Sequence, residues 1–499
     1  MINTQPHKSE KIQHSVDKKQ LLAQFEVFLA KTSVLSEPEQ LKPFECDALS
    51  AYHCLPWIVV LPETVEQLQK VLQLCYRLGV PVLARGAGTG LAGGVIPLDN
   101  GVLIGLAKFK KILQIDLDNR MARVQPGVRN LAISEAVAKH GLYYAPDPSS
   151  QIACTIGGNV AENSGGVHCL KYGLTTHNIL RLKILTIEGE LLTIGSHGLD
   201  SSGYDLLALL TGSEGMLGII VEVTVKLLVI PETAKVIMAA FDDIEQAGHA
   251  VAEIIASGLI PAGLEMMDKT TIKAAEDFVH AGYPSDAEAI LLCELDGNHQ
   301  QVEEELKQAY AVLQQHGAME LKIAQSELER QKMWAGRKSA FPAVGRISPD
   351  YYCMDGTIPR RYLATVLKKI AQLSEQYGLL VANVFHAGDG NLHPLILYNA
   401  NNAGEMEKAE MLGGDILKLS VAMGGTITGE HGVGVEKINY MCYQFGSNEL
   451  RMFHAIKHAF DQKGLLNPGK AVPTLHRCAE FGAMHVHAGE LDFPELERF

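Results

Sequence analysis

The sequence lacks the features that mark membrane-spanning, secreted or nucleic-acid-binding proteins. No window approaches the roughly 18 consecutive apolar residues that a membrane span needs. Residues 1–19 mix charged side chains without the apolar run of a secretory signal. A net charge of −14 opposes nucleic-acid binding, which needs a concentrated positive surface. These absences predict a cytoplasmic protein whose membrane association, if it has any, is peripheral and passes through partner proteins.

Paired cysteines are also missing. The nine cysteines are odd in number, and none are spaced as Cys-x-x-Cys. This pattern predicts reduced thiols in a reducing compartment. It also argues against an iron–sulfur or zinc–thiolate site in this chain. If electrons leave through such a cluster, another subunit must hold it.

The pattern of predicted helices, strands and turns changes along the 499 residues, which predicts an α+β fold of several domains. Residues 1–54 form a polar segment, with a helix predicted over residues 21–30. Residues 55–232 combine strands, helices and hairpin turns in one domain. Residues 233–471 alternate helices with strands that we expect to form an antiparallel sheet. Residues 472–499 remain as a tail.

The clearest local signal precedes a glycine-rich loop. Residues 57–61 are typical of a strand, and Thr64 with Gln67 forms a capping box at the start of an amphipathic helix. Gly79 stands where a left-handed residue ends such a helix. Residues 80–84 follow as a second strand, so an α/β unit leads into the loop.

The loop contains a formal Gly-x-Gly-x-x-Gly at Gly88, Gly90 and Gly93. A Rossmann site would require this loop to open a helix whose amino terminus faces the pyrophosphate. Pro97 and the Asp-Asn-Gly turn that ends at Gly101 leave no room for that helix. The sequence therefore argues against a Rossmann domain.

Two further polar, glycine-rich runs suggest a different use for the loop. Residues 146–150 lead into residues 155–166, and a third run covers residues 211–218. Glycines let the backbone approach a ligand, and their N–H groups can bind a diphosphate without a lysine. One run alone would favour an ordinary tight turn, but three in one domain favour a buried, elongated anionic cofactor.

These segments resemble the FAD-binding domain of the vanillyl-alcohol-oxidase/p-cresol-methylhydroxylase family. The resemblance implies a two-lobed FAD-binding domain followed by an α+β substrate (cap) domain with an antiparallel sheet. Thr89 stands where some members attach the flavin through a histidine, which implies non-covalent FAD. The residues that the resemblance assigns to FAD binding are Arg85, Gly86, Ala87, Gly88, Thr89, Gly90, Pro146, Asp147, Thr155, Gly157, Gly158, Asn163, Gly215, Gly218, Ile220 and Asn467.

A histidine cluster is predicted in the second domain. His386 and His393 flank a Gly-Asp-Gly-Asn turn, and a strand–turn–strand path would bring both imidazoles to one face. Glu430 lies in a glycine-rich turn that leaves its side chain accessible. Two imidazoles and a carboxylate suit Zn²⁺ or a similar divalent ion.

The same motifs resemble the carboxyl-terminal domain of FAD-linked 2-hydroxy-acid dehydrogenases. The resemblance implies that His386, His393 and Glu430 hold a divalent metal, with zinc expected. It assigns His431 as the base that removes the substrate's hydroxyl proton, with a pKa near neutrality. It assigns Arg337, in a Trp-x-x-Arg motif, to the substrate carboxylate, which a guanidinium can bind through two hydrogen bonds. The α-hydrogen would pass as hydride to flavin N5, giving a 2-oxo acid.

Residues 154–159, 166–173, 348–357 and 473–482 look most like the glycolate-oxidising members of that family. Those members imply glycolate as substrate, with D-lactate as a second one. They also imply a second FAD-domain subunit and an iron–sulfur subunit as partners.

Other functions stay open at this point. One is a stand-alone FAD-dependent D-lactate or D-2-hydroxyglutarate dehydrogenase, although Cys353 replaces the lysine expected for a dicarboxylate substrate. Another is a metallohydrolase that uses His386, His393 and Glu430 with a metal-bound water, which would leave the glycine-rich runs without a purpose. A catalytically silent scaffold is a third.

Overall fold

A computed structural model describes residues 16–198 and 203–474 of the chain. The predicted tail lies outside the described residues from residue 475 onward, and so do residues 1–15. The described residues form a mixed α+β structure with sheets of four, five and seven strands and one two-stranded pair. The α+β prediction is therefore confirmed.

The first lobe is built on the four-stranded sheet, in the order β1-β2-β4-β3. Strands β2, β4 and β3 are parallel, whereas β1 is antiparallel to β2. Its strands and helices are β1 (Val34–Leu35), β2 (Ile58–Val60), β3 (Val82–Arg85), β4 (Val102–Gly105), α1 (Lys18–Phe25), α2 (Pro38–Leu41) and α3 (Val65–Leu78).

Helix α3 begins and ends where the sequence predicts, but one of the two hydrogen bonds of the predicted capping box is absent. The Thr64 side chain accepts the N–H of Gln67, and Gly79 ends the helix in a left-handed conformation with φ of 67°. The Gln67 side chain accepts from the N–H of Glu63 instead of closing the box on Thr64. Helix α1 is capped by Asp17 and starts before the predicted residue 21.

The second lobe is an antiparallel five-stranded sheet in the order β5-β6-β10-β8-β9. The predicted hairpins β5–β6 and β8–β9 are both present. Strand β8 begins at Ile179 and pairs along most of β10. The elements of this lobe are β5 (Ile112–Asp116), β6 (Met121–Val124), β7 (Leu142–Tyr143), β8 (Ile179–Leu185), β9 (Leu191–Gly195), β10 (Ile219–Lys226), β11 (Leu228–Val229), α4 (Asn130–Val137), α5 (Ile156–Glu162), α6 (Cys169–Tyr172) and α7 (Leu206–Leu210).

The carboxyl-terminal half is built on a seven-stranded sheet in the order β15-β12-β14-β13-β17-β18-β16, and all its pairs are antiparallel as predicted. Its strands are β12 (Thr233–Phe241), β13 (Gly263–Asp268), β14 (Ala289–Gly297), β15 (Glu320–Ile323), β16 (Asp350–Cys353), β17 (Val381–Phe385) and β18 (Pro394–Tyr398). Its helices are α8 (Ile244–Ala256), α9 (Lys269–Val279), α10 (His299–Gln315), α11 (Glu327–Lys338), α12 (Ala340–Val344), α13 (Leu363–Tyr377), α14 (Glu405–Ala422), α15 (Met441–Gln444) and α16 (Ser447–Phe460). Short 3₁₀ turns cover Lys31–Ser33, Lys42–Phe44, Ala138–His140, Thr175–Asn178, Arg360–Tyr362 and Ile438–Tyr440.

Both faces of the seven-stranded sheet are buried, which explains the continuous apolar run in β12. Ile237 and Phe241 belong to the core on one face, and Val236 and Met238 belong to the core on the other. Because side chains alternate along a strand, each face receives every second residue. Helices pack against both faces of the sheet.

The end of the described chain returns to the first lobe. The N–H of Val82 in β3 donates to the carbonyl of Leu465, and the N–H of Asn467 donates back to Val82. Seven described cysteines are free thiols. Among the described helices, none has the length and apolar character to span a bilayer.

Candidate functional site

One cavity brings together the first two glycine-rich runs and the histidine cluster. Its walls come from both lobes and from the carboxyl-terminal half. The lining residues are Asp47, Gly86, Ala87, Gly88, Thr89, Gly90, Leu91, Val95, Pro148, Ser149, Ser150, Cys154, Thr155, Gly158, Asn159, Glu162, Ser164, Phe341, His393, Glu430 and His431. The third run, at residues 211–218, is not among them.

The first loop leaves β3 at Arg85 and passes directly over the start of α5. A side chain added at Gly86 would overlap the hydroxyl of Thr155, so only glycine allows the two segments this approach. Arg85 is not among the lining residues, and its side chain donates to the carbonyl of Cys46 at 2.7 Å. The loop therefore presents backbone groups to the cavity, and no lysine or arginine among the described residues lines it. No helix follows it before β4, as predicted.

The second run supplies polar groups. Thr155 caps α5, and its hydroxyl is buried without a hydrogen-bond partner in the structure. The amide nitrogen of Asn159, one turn further on, is also buried and unpartnered. Both residues line the cavity, and buried polar groups of this kind usually bind something. Sequence reasoning included Thr155 and left out Asn159, although the Gly-Gly-Asn motif contained it.

Four other residues of the predicted cofactor set do not line the cavity, but they hold the second run in place. The carbonyl of Pro146 accepts from Asn130, and the Asp147 carboxylate binds His168. Gly157 packs against Pro126, and Asn163 ends α5 in a left-handed conformation.

The third run and Asn467 also lie behind the cavity wall. Both oxygens of the Glu214 carboxylate accept backbone N–H groups, from Val433 at 2.7 Å and from Gly434 at 2.8 Å. The amide of Asn467 donates to the carbonyls of Gly94 and Glu214. The other three predicted residues of this group, which do not line the cavity, are Gly215, Gly218 and Ile220.

Strands β17 and β18 confirm the strand–turn–strand path of the histidine motif. His386 follows β17 and His393 precedes β18, and the two ring centroids are 5.0 Å apart. Gly390 lies in the turn with φ of 84°, and a side chain there would overlap the carbonyl of Ile358. A glycine is therefore required where the turn reverses direction.

Glu430 completes the histidine cluster. Its Oε1 atom is 3.1 Å from Nε2 of His386 and 3.3 Å from Nε2 of His393. One ligand atom from each residue lies within 4.8 Å of the others. Burial alone would raise the pKa of Glu430, but the histidines lower it to about 2, so the carboxylate is charged.

Asp355 shapes the turn that carries Glu430 and His431. This fully buried carboxylate accepts the N–H groups of Gly429 at 3.0 Å and His431 at 2.9 Å, and the hydroxyl of Thr428 at 2.6 Å. The His431 ring stacks on His393 with centroids 4.8 Å apart.

His431 titrates lower than the sequence suggested. Burial lowers its pKa; Asp355 opposes this effect, and the positive charge of Lys437 adds to it. The result is a pKa of about 4, whereas the sequence prediction was a value near neutrality. The imidazole is therefore neutral, and able to accept a proton, throughout the physiological range.

Glu265 on β13 is a site residue that sequence reasoning missed. It is 1% exposed and accepts from Nδ1 of His386 at 2.8 Å and from Nε of Arg337 at 2.7 Å. Arg337 is itself 2% exposed and does not line the cavity. The only sequence signal was an acid within an apolar strand, which indicates a buried partner without identifying it.

A profile of the FAD binding domain matches residues 56–195, and a profile of the FAD linked oxidases, C-terminal domain, matches residues 230–471. The glycolate oxidase subunit GlcD of Escherichia coli strain K12 is 64% identical over 484 residues, which cover 97% of each chain.

This chain belongs to the FAD-linked oxidases.

Relatives of lower identity also match most of the chain. The glycolate oxidase subunit GlcD of Bacillus subtilis strain 168 is 39% identical, covering 86% of this chain and 91% of its own. A D-lactate dehydrogenase of Anaerostipes hadrus is 33% identical, covering 89% and 95%. The protein is accordingly an FAD-dependent oxidoreductase, as predicted.

Solved structures confirm the fold of this FAD-linked oxidase. The 4-ethylphenol oxidase from Gulosibacter chungangensis superposes with a TM-score of 0.78 at 16% identity, covering 93% of this chain and 99% of that one. A p-cresol methylhydroxylase superposes with a TM-score of 0.76 at 18% identity, covering 92% and 97%. The predicted architecture, a two-lobed FAD-binding domain with an α+β cap domain, is therefore confirmed.

Two carboxylates face the cavity of this FAD-linked oxidase beside the first loop. Burial raises the pKa of Asp47 to about 6, against the opposing effects of the Leu49 N–H and Arg85. Burial and the neighbouring Glu214 raise the pKa of Glu162 well above its usual range. Both shifts reduce the negative charge beside the glycine-rich wall, where an anionic ligand would otherwise be repelled.

Proposed function

We propose that this FAD-linked oxidase oxidises glycolate, and D-lactate as a second substrate, to the 2-oxo acid. The observation that supports this most directly is that the glycine-rich loop at residues 86–91 and the Glu430–His431 turn line one cavity. That arrangement puts a flavin-binding wall opposite groups that can bind and deprotonate a hydroxy acid. Relatives named as glycolate oxidase subunits and as a D-lactate dehydrogenase support the substrate class.

The cavity wall fits FAD held without a covalent bond. The glycines at residues 86, 88 and 90 leave backbone N–H groups accessible, and Thr155 and Asn159 offer buried, unpartnered polar atoms. Thr89 lines the same wall and carries no imidazole for attachment. When bound there, FAD supplies the acceptor for the hydride that leaves the α-carbon of the substrate.

The histidine cluster fits a divalent metal, and its ligand types favour zinc. His386, His393 and Glu430 would hold it, and both ring nitrogens of His393 are buried without a hydrogen-bond partner. A second compact set combines Asp355, His393 and His431, but the oxygens of Asp355 already accept three backbone N–H groups. When bound there, such a metal would supply Lewis-acid polarisation of the substrate hydroxyl.

The chain's own residues perform the proton chemistry. His431 accepts the hydroxyl proton while Asp355 fixes the turn that presents it. Glu265 orients His386 by accepting from its Nδ1 atom, which directs Nε2 towards Glu430. Arg337 donates to Glu265 through Nε and pairs with the same carboxylate through Nη2, and its guanidinium would meet the substrate carboxylate.

We further propose that the electrons pass to partner subunits, one with a second FAD domain and one with an iron–sulfur cluster. The absence of Cys-x-x-Cys spacing supports a cluster on another chain. Two relatives are named as subunits of a larger oxidase, which also supports an assembly.

The alternatives gain less support. A D-2-hydroxyglutarate dehydrogenase would need a cation for its second carboxylate, whereas the thiol of Cys353 is buried on β16 and uncharged. A metallohydrolase would leave the FAD-binding half without a function, although this half matches its own family profile.

An anaerobic visible spectrum of the purified chain, recorded before and after glycolate, tests the proposal, with D-lactate measured in parallel. We expect a flavin absorption that bleaches with either acid. D-2-hydroxyglutarate serves as the competing substrate. Bleaching by that acid alone, or by none of the three once partner subunits have been added, would contradict the proposal.

A further inference from the structure

The two halves of the molecule meet at a charged contact beside the cavity, which we call the seam. It consists of Asp147 and residues 168–172 on one side and Glu294 and Asp296 of β14 on the other. Glu294 and Asp296 are two residues apart on a strand, so their side chains leave the same face of the sheet. Lys171 donates to Asp296 at 2.6 Å and Tyr172 donates to it at 2.7 Å.

His168 occupies the centre of the seam. Its Nδ1 atom is 2.8 Å from the Asp147 carboxylate, and its Nε2 atom is 3.3 Å from the Glu294 carboxylate. The backbone N–H of His168 donates to the other oxygen of Asp147. The imidazole therefore joins a carboxylate of the FAD-binding half to a carboxylate of the carboxyl-terminal half.

This geometry fixes the protonation state of the ring. An ionised carboxylate only accepts hydrogen bonds, and a neutral imidazole has a single N–H to donate. Both contacts of His168 are satisfied only when both nitrogens carry a proton. Burial opposes the charge, but Asp147 and Glu294 outweigh it and raise the pKa of His168 well above its usual range.

The carboxylates of Asp147 and Glu294 each contact a second segment, and both of these segments lie near the proposed site. Asp147 immediately precedes the cavity-lining residues 148–150, and Gly166 packs so closely on Asp147 that a side chain there would collide with it. Glu294 accepts from the indole of Trp334 at 2.5 Å and from Arg330 at 2.8 Å. Both donors lie on α11, the helix that carries Arg337.

We infer that His168 is a positioning residue: its doubly protonated ring fixes the 148–150 wall of the flavin cavity relative to the helix that carries Trp334 and Arg337. The substrate would bind between these two segments, whereas FAD binds mainly to the lobes. Loss of His168 therefore changes substrate capture more than FAD retention. The part of this inference that concerns substrate rests on the proposed function.

The charges around the ring determine how the seam responds to pH. Asp147 and Glu294 face His168 directly, and Arg330 neutralises part of the Glu294 charge. Lys171, Tyr172 and Asp296 form the neighbouring contact. The charge of His168 compensates both facing carboxylates. When the pH rises through its elevated pKa, the ring loses one of its two N–H groups. One of the hydrogen bonds to Asp147 and Glu294 is then lost, and the two carboxylates face a neutral ring.

Nuclear magnetic resonance of the FAD-loaded full chain, labelled with ¹⁵N-histidine, tests the protonation state. An ordinary histidine with a pKa of about 6.5 is neutral at pH 8. We expect the His168 signals, assigned by their disappearance in His168→Gln, to show two protonated ring nitrogens at pH 8. A neutral ring at that pH would overturn the inference. If His168→Gln does not fold, Glu294→Gln serves for assignment, because it should shift the same signals.

Flavin-reduction kinetics test the positioning role. We expect His168→Gln to raise KM for glycolate about tenfold while FAD content changes less than about twofold, and Glu294→Gln to make most of this change by itself. The exposed His140→Gln is the matched control. A His168→Gln variant that matches the control, or that loses FAD instead, would overturn the inference. If glycolate fails to reduce the wild-type flavin, the proposed function fails, while the resonance experiment still decides the state of His168.

Discussion

Glu265 accepts a hydrogen bond from Nδ1 of His386 at 2.8 Å, which leaves Nε2 of that ring 3.1 Å from Glu430. A carboxylate on one ring nitrogen fixes the tautomer and orientation of a metal-ligating histidine. Glu265 also binds Arg337, so one buried acid supports both a proposed metal ligand and the proposed carboxylate-binding arginine.

Glu265→Gln should lower metal affinity about 10-fold to 100-fold, because the amide no longer accepts as strongly from His386. The metal content of each chain after dialysis against a graded chelator series measures the loss. The exposed Glu253→Gln is a matched control. Equal metal retention by both variants would show that Glu265 does not support the site.

His431→Ala should reduce the rate of flavin reduction about 100-fold to 10,000-fold, because the hydroxyl proton loses its acceptor. FAD should remain bound, since the Gly-rich wall is unchanged. Stopped-flow absorbance under anaerobic conditions gives the rate, and the exposed His458→Ala is the control. A His431→Ala variant reduced at the wild-type rate would remove this residue from the mechanism.

Gly86→Ala should lower the FAD content of the purified protein, because the added methyl group overlaps the hydroxyl of Thr155. The double variant Gly86→Ala/Thr155→Ala removes that overlap and should recover part of the content if packing is the cause. Gly198→Ala, whose added methyl group meets only Ser196, is the control. Absorbance of released flavin per chain is the measurement. Unchanged content in Gly86→Ala would contradict this reading of the loop.

The stability difference between the wild type and Asp47→Asn should change with pH. Folding raises the pKa of Asp47 from an ordinary 3.8 to about 6, so this carboxyl contributes most to stability below pH 3.8 and loses that contribution as the pH rises through 6. Between pH 5 and pH 8 the wild type without FAD should lose about 1 kcal/mol relative to the variant. Urea unfolding at both pH values measures the difference, and a constant difference would contradict the shift.

Features that depend on neighbouring residues were predictable from the sequence. Thr64 and Gly79 identified the ends of α3, and the turn between His386 and His393 required only that two strands flank it. Pro97 was sufficient to argue against a Rossmann helix. These predictions succeeded because caps, turns and strand alternation act over a few residues.

Contacts between distant segments were not predictable in the same way. Glu265 is 121 residues from His386 and 72 from Arg337, and no spacing rule connects them. Arg337 was recognised through a motif, yet its burial against Glu265 depends on how α11 packs on the sheet. The pKa of His431 was misjudged for the same reason, because the degree of burial follows from the assembled fold.

The turn that carries His431 is attached to the first glycine-rich loop. The N–H of Val435 donates to the carbonyl of Ala92, and a side chain at Gly434 would overlap that carbonyl. Two segments about 340 residues apart in sequence are thus held together by direct backbone contact. An insertion in either segment would have to preserve this contact, and a chimera that exchanges one half between related enzymes must match its partner there.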